Sequence, residues 1–555
     1  MRRRKKRSMT KLFIAAVALV LLCSFSASAA EYEYGNDRTL FVNGYVETLI
    51  GFGSNDEPSY NAAAGQYMTS GNPNGVNQVL ITGYVETQLK WGRDLEFRTA
   101  WRMQGDQVDD FRESDHWKDT YGMADDNLNF DDDIDDIIRE FNVAYFSEYF
   151  SCRIGKQQLV WGEVDGLRIM DQINPLDLRR GFIFYDSDSG FGDSRIPLWM
   201  VKTEFNTAMD FEAGGLSDLG LELTWIPDVD PWNRFEIGPR EGGTYAYPVP
   251  DGYYMGPGAG LRQLNVHRED PSRTVDNSSF AARLKFNYRG AFMTLNYFYG
   301  WSADGYLAPD TNPGLMGFGL NPWAGPTGNV GDGAGLVFDV LLKPYRQKTT
   351  GFTLSRQLGV LQPFMKLMGQ FDTPILRIEA LYQFDKKYNT SNPMFDAMGL
   401  SPAFNLPAEG PAGDYVDESD EIRWMVGLDW FALRIPWINS KNKVTLSSQF
   451  IHFHIMDHQD TMYQGPYNWH LEEDFIAWSL LVGTAYWKER IRPQILYVRD
   501  TTYNSFFIKP RVQVDIGDNW RTEIGAYLVD GAHEERQFGL FDNRDSVYMK
   551  IKYQF

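Results

Sequence analysis

Along DSVYMKIKYQF (545–555) apolar and polar positions alternate with a period of two. Val547, Met549, Ile551, Tyr553 and Phe555 share one face, and Tyr548, Lys550, Lys552 and Gln554 share the other. That period belongs to a strand, because successive side chains of extended backbone point to opposite sides. One face suits lipid and the other water. The same alternation fills SFFIKPRVQVDI (505–516), where Phe506, Ile508, Pro510, Val512, Val514 and Ile516 oppose Lys509, Arg511, Gln513 and Asp515. After the turn Gly517-Asp518-Asn519 the chain returns with Trp520, Thr522, Ile524, Ala526 and Leu528 opposite Arg521 and Glu523, then enters a polar stretch at 530–545. Phe280 to Tyr288, Met293 to Tyr299 and Leu376 to Phe384 repeat the pattern.

Strands with one apolar face are stable in lipid only when the sheet closes, since lipid cannot hydrogen-bond a free edge. The expected fold is therefore all-β, a transmembrane antiparallel β-barrel with short periplasmic turns and long extracellular loops. About 525 residues beyond the leader, at roughly 30 to 35 per strand, predict about 16 strands, within 14 to 18. The Gly- and Pro-rich segments 238–278, 303–350, 388–420 and 457–473 read as the extracellular loops. GYVET occurs at 44–48 and again at 83–87, which two matching strands of one barrel explain. A terminal strand ending in Phe555, with Val547, Met549, Ile551 and Tyr553 on its lipid face, has the form of a barrel-assembly signal.

The first 30 residues read as a cleaved signal peptide: a basic MRRRKKRSMTK, an apolar LFIAAVALVLLCSF, and a small-residue cleavage site at Ala29 or Ala30. Residues 31–555 then form the barrel, exported to the cell outer membrane. Lys and Arg number 53 against 74 Asp and Glu, and seven of the basic residues lie in the leader, so the remainder is about 28 charges negative. That balance argues against nucleic acid, whose phosphates need clustered basic residues. Cys152 stands alone beyond the leader, so no intrachain disulfide staples the fold. The 16 Trp and 30 Tyr suit aromatic girdles at the two membrane interfaces. The longest apolar run, 475–487, is too short for a spanning helix.

Between 153 and 180 the chain reads RIGKQQLVWGEVDGLRIMDQINPLDLRR. A strand with Gly155, Lys156 and Gln157, then Trp161-Gly162-Glu163, then Asn174, Pro175 and Asp177 resembles the signature of the domain-of-unknown-function 1302 family of bacterial outer-membrane proteins, with Lys156 standing where Arg is more usual. The resemblance implies a porin-like barrel that works beside periplasmic carriers and inner-membrane exporters of hydrophobic compounds. It implies no catalytic residues. Physically, Cys152, Ile154 and Val160 face lipid, while Arg153, Gln157, Trp161 and Glu163 face the lumen. Val164, Leu167, Ile169 and Met170 have helical spacing that Asn174-Pro175 would end, in a loop folded into the pore. Arg153, Glu163, Arg168, Asp171, Asp177, Arg179 and Arg180 would then make a constriction of both signs. The competing reading is that these charges only pair with one another and hold the loop to the wall.

Other chemistries are weaker. Residues 125–136 approach the spacing of an EF-hand loop, but Phe130 replaces the turn glycine and Asp136 the bidentate Glu, so Asp131 and its neighbours are at most a loose Ca²⁺ or Mg²⁺ site. His452 and His454 share a strand face and suit Zn²⁺ or Cu²⁺, although Phe450 on the same face equally makes them part of an aromatic belt. Ser194 lacks the nucleophile-elbow motif. The expected function is a non-enzymatic channel for small solutes, hydrophobic ones among them, with outer-membrane lipid, lipopolysaccharide and the barrel-assembly machinery as partners. A surface-adhesion barrel with a plugged lumen and a barrel hydrolase are the rivals.

Overall fold

A computed structural model describes residues 30–555 except 35–36, 54–59, 62–65, 68–74, 108–127, 180–191, 208–214, 235–260, 310–320, 323–335, 391–415, 465–468, 532–537, 540–544 and positions 130, 132, 163, 165–166, 193, 230–231 and 371. The leader lies outside the described residues. Among them, the alternating segments form the wall of one closed antiparallel barrel of 18 strands. These are β1 (Arg38–Gly53), β2 (Gly75–Trp91), β3 (Leu95–Asp106), β4 (Ile138–Phe146), β5 (Phe150–Gln157) and β6 (Leu198–Asn206). Then come β7 (Leu216–Ile226), β8 (Ser279–Tyr288), β9 (Ala291–Trp301), β10 (Arg346–Gln357), β11 (Ile375–Thr390) and β12 (Val416–Leu433). The last six are β13 (Val444–Ile455), β14 (Asp474–Thr484), β15 (Ile491–Asp500), β16 (Ser505–Ile516), β17 (Trp520–Asp530) and β18 (Ser546–Gln554). The count exceeds the expected 16 because several connections take only two to four residues, such as 289–290, 517–519 and 501–504, so each strand uses less chain than was allowed.

Each strand pairs with its chain neighbours, and β18 closes on β1 from Tyr45↔Gln554 to Gly53↔Ser546. At the seam, Gly44 donates to the Phe555 carbonyl at 2.9 Å and Phe555 donates back to Gly44 at 3.0 Å. Below that point, Ala30–Tyr34 pairs with Arg38–Val42 and covers the edge of β1 that β18 does not reach. The two GYVET copies are direct partners, with Tyr45 opposite Tyr84 and their rings stacked at 5.2 Å.

Alternation sets the two faces. Phe280, Leu295, Tyr297, Ile524, Val547 and Met549 stand exposed on the outside, as the lipid face requires. On the inside the neighbours are polar and buried: Glu379, Gln449, Glu523 and Lys550. Outward aromatics gather near both ends of the strands, as with Trp199 and Phe205 of β6. No described helix is long and apolar enough to cross a membrane. Both ends of the wall lie at the rim of short turns, and the connections at the other rim include the long loops. Two of these meet in a small sheet of Leu261–Arg268, Tyr306–Pro309 and Leu336–Lys343. A single helical turn, α1 (Ile134–Ile137), precedes β4 at this rim, with the Asp133 side chain accepting from the Asp135 amide.

Gly44 is where the seam is tightest. A Cβ there would lie 2.5 Å from the Tyr84 carbonyl and 2.8 Å from the Phe555 ring. Gly44→Val is expected to lower the folded fraction, a strained seam residue costing about 1–3 kcal/mol. The check is the fraction of refolded protein that runs as a compact, heat-modifiable band on an unheated gel; a fraction equal to wild type would contradict it.

Candidate functional site

The wall alone would enclose a polar lumen. The segment between β5 and β6 crosses it. From Gln157 the chain leaves the wall and reaches β10 and β11, about a third of the circumference away. Met170 donates its backbone N–H to Glu379 Oε1 of β11 at 2.6 Å, and a Cβ on Gly351 of β10 would lie 2.2 Å from the Met170 sulfur. Only glycine at 351 leaves the methionine that room. Trp161 extends to another part of the wall, donating Nε1–H to Glu222 of β7 at 2.9 Å. Glu222 also meets Lys202 at 3.1 Å and Lys285 at 3.7 Å.

Over its described residues within 158–179 the crossing segment is irregular chain with no helix, contrary to the expected helical spacing. Val164, Leu167, Ile169 and Met170 pack into the cluster shared with the wall rather than forming one amphipathic face. Leu159, Trp161, Ile169, Met170 and Ile173 form one buried apolar cluster with wall residues Met200, Ile226, Leu381, Met425 and Ile451. Asn174 clamps the fold of the segment. Its side chain accepts from the Leu159 amide and donates to the Ile196 carbonyl, both at 2.8 Å, and its own carbonyl accepts from Arg168 at 2.5 Å. It is fully buried. Pro175 accepts from the Ile196 amide at 2.8 Å, and Gly162 approaches both Asp171 and Glu379 so closely that a Cβ would sit 3.1 Å from each.

The charges of the segment are paired. Asp171 meets Arg195 at 2.7 Å and Arg168 at 3.7 Å. Asp177 binds Arg179 at 2.9 Å, and Arg179 lies 3.9 Å from Asp136 of α1, which also pairs with Arg234. Burial pushes the Asp136 carboxyl up, against the pull of Arg234 and Arg179. Burial likewise draws the Arg168 guanidinium down, only partly opposed by Asp171. Arg153 is half-buried on the lumen side of β5, opposite Lys202. Glu163 and Arg180 lie outside the described residues.

The strand part of the signature has a different task. Gly155 has φ +132°, and a Cβ there would lie 2.2 Å from the Phe141 carbonyl, so no other residue fits that close approach to β4. Lys156 sits in register between Phe141 and Trp199, which are 49% and 42% exposed, yet it is itself 2% exposed. The two rings lie 6.3 Å apart, over the strand between them, and the ammonium reaches up to the Asp135 carboxylate at 2.7 Å and its carbonyl at 2.6 Å. A lysine on the lipid face thus sends its charge to the rim. Gln157 turns inward, donating to the Met200 carbonyl at 3.3 Å.

Of the remaining candidates, Asp131 is buried and bound by Arg102 at 2.6 and 2.9 Å, a structural pair inside the barrel. The Ser194 carbonyl accepts from the Asp177 amide. His452 and His454 face outward at the loop rim and both meet Asp474 of β14. Glu379, Gly351, Glu222, Arg195 and Asp474 were absent from the sequence-based set. Glu379, Gly351 and Glu222 lie far along the chain from their partners and Asp474 faces His454 across two strands, so barrel register brings these together, whereas Arg195 reaches Asp171 within the same connection.

No curated protein matches the chain. Among solved structures, it is similar to Salmonella typhi OmpF in complex with daunomycin (10% identity, 95% of this chain and 100% of that one, TM-score 0.35). It is also similar to the outer membrane channel DcaP of Acinetobacter baumannii (8%, 95% and 100%, TM-score 0.36) and to an anion-selective porin from Comamonas acidovorans (9%, 94% and 100%, TM-score 0.33). The model of the family described as protein of unknown function (DUF1302) matches residues 10–555, and the chain belongs to that family.

Proposed function

We propose that the protein is a porin-like channel of the outer membrane that passes small solutes, hydrophobic ones among them, past the segment that crosses its lumen. One observation carries this reading. The crossing segment seats Trp161, Ile169 and Met170 in a buried apolar cluster with Leu381 and Met425, against a wall that is otherwise polar and ion-paired, and so narrows the lumen beside it. The narrowed lumen limits solutes by size, and charged ones are sorted by the Asp171–Arg195 and Asp177–Arg179 pairs beside the cluster. No chemical step on the solute belongs to this reading. As the family implies, a periplasmic carrier and an inner-membrane exporter are the expected partners, with lipopolysaccharide around the outer rim.

A second reading, a plugged barrel that binds partners through its loops, is favoured by the fully buried Asn174 clamp. Conductance in planar bilayers separates the two. The channel gives stable ohmic steps under a salt gradient. Asn174→Ala removes two side-chain hydrogen bonds in a buried site, about 2 kcal/mol or roughly thirtyfold in the population of a displaced segment, and is expected to raise conductance. A folded barrel that stays silent in both forms would establish the plugged reading.

Arg179→Ala leaves Asp177 and Asp136 with one cation fewer. The reversal potential is expected to move toward cation selectivity, by on the order of a few millivolts, with heat-modifiability unchanged. An unshifted potential would show that these charges lie off the solute path.

A further inference from the structure

We infer that His452, His454 and Asp474 form a binding site for one transition-metal ion, Zn²⁺ by its chemistry, at the outer face of the loop rim, where it would clasp the base of the 456–473 loop. The site is independent of the lumen and of the channel reading.

The geometry comes from strand register. His452 and His454 are two residues apart in β13, so both point to the same, outward face, and their ring centroids are 6.2 Å apart. His454 is the direct cross-strand partner of Asp474, the first residue of β14. Asp474 therefore projects between the two imidazoles. Its Oδ1 lies 2.7 Å from His452 Nε2 and 2.8 Å from His454 Nδ1, and the three potential ligand atoms all lie within 4.8 Å of one another.

Tetrahedral zinc, with bonds of about 2.0–2.2 Å to nitrogen and oxygen, places its ligand atoms roughly 3.3 Å apart. The nitrogen–oxygen separations here need to open by about 0.5 Å for an ion to enter, which is within small χ rotations of three rim side chains. The donor set also fits the metal. Two neutral imidazoles and one carboxylate suit Zn²⁺ or Cu²⁺ far better than Ca²⁺ or Mg²⁺, which demand oxygen. The Asp474 side chain is about half exposed, at 48%, so the fourth position opens to solvent. On the other side, Trp424 meets the His452 ring edge-to-face at 5.4 Å and limits its rotation. Neither the signature segment nor the apolar cluster uses any of the three residues.

Holding β13 and β14 together at this point would fix the ends of the loop between them. A metal bound there ties the loop conformation to metal in the medium. The consequence is measurable on the full-length refolded barrel in detergent, titrated with Zn²⁺ against a chromophoric chelator. The expected result is one Zn²⁺ per barrel, with Asp474→Asn and His454→Gln each weakening it about tenfold or more. Co²⁺ substituted at the site is expected to show the intense visible absorption of a four-coordinate ion with nitrogen ligands, lost in His452→Gln/His454→Gln. All variants are scored only as heat-modifiable, folded barrels, and because the side chains face outward at the rim none removes a wall contact within the lumen. Equal Zn²⁺ affinity in wild type and the double histidine variant would overturn the inference, as would a six-coordinate Co²⁺ spectrum unchanged by the substitutions. Either would leave the three residues as a hydrogen-bonded clasp alone.

Discussion

Lipid offers a strand no partner for its N–H and C=O groups, and that constraint governs the rest of the molecule. It is met at the seam, where β18 pairs with β1 and the Phe555 and Gly44 backbones exchange hydrogen bonds. Beyond the seam, Ala30–Tyr34 continues the same edge. With no edge left open, alternation does the remaining work. Along each strand alternate side chains meet lipid and the ones between them meet the lumen, and the two compositions follow without any helical span.

Closure also creates an interior that has to be filled or left wet. At 18 strands the wall is wide enough for the chain to send a segment across it, and 158–179 does so. The anchoring is unequal. Hydrogen bonds to Glu222 and Glu379 use wall carboxylates that would otherwise face the lumen, whereas Met170 needs an absence, the missing side chain of Gly351. Apolar contact supplies the area, and buried polar contacts fix the position. A buried carboxylate that accepts a backbone N–H at 2.6 Å cannot be left unpaired cheaply, so the segment has a definite seat.

The charges show the same logic. Asp171, Asp177, Arg168, Arg179 and Arg195 are drawn into pairs because isolated ions are costly away from water. Pairs of both signs hold the segment in place within one lumen. Lys156 solves a different problem. On a face that meets lipid it is covered by Phe141 and Trp199, and its charge is carried to α1 at the rim.

Much of this was legible in the chain itself. A period of two is local, so the strands ending at Ile516, Leu528 and Phe555, their lipid faces and the short turn at 517–519 follow from neighbouring residues alone. The signature Gly155, Trp161, Asn174 and Asp177 marked the in-folded segment. Strand number did not follow, because it depends on how little chain the tight turns use. Nor did the partners of the signature residues, since Glu379 lies 209 positions beyond Met170 and Glu222 lies 61 beyond Trp161. His454 and Asp474 are a further case: the histidines announce their common face through spacing, while the carboxylate between them exists only through the register of β13 against β14. Periodicity is a property of adjacent residues and is written in the sequence. Proximity across a barrel is set by closure and shear, and only the tertiary structure decides it.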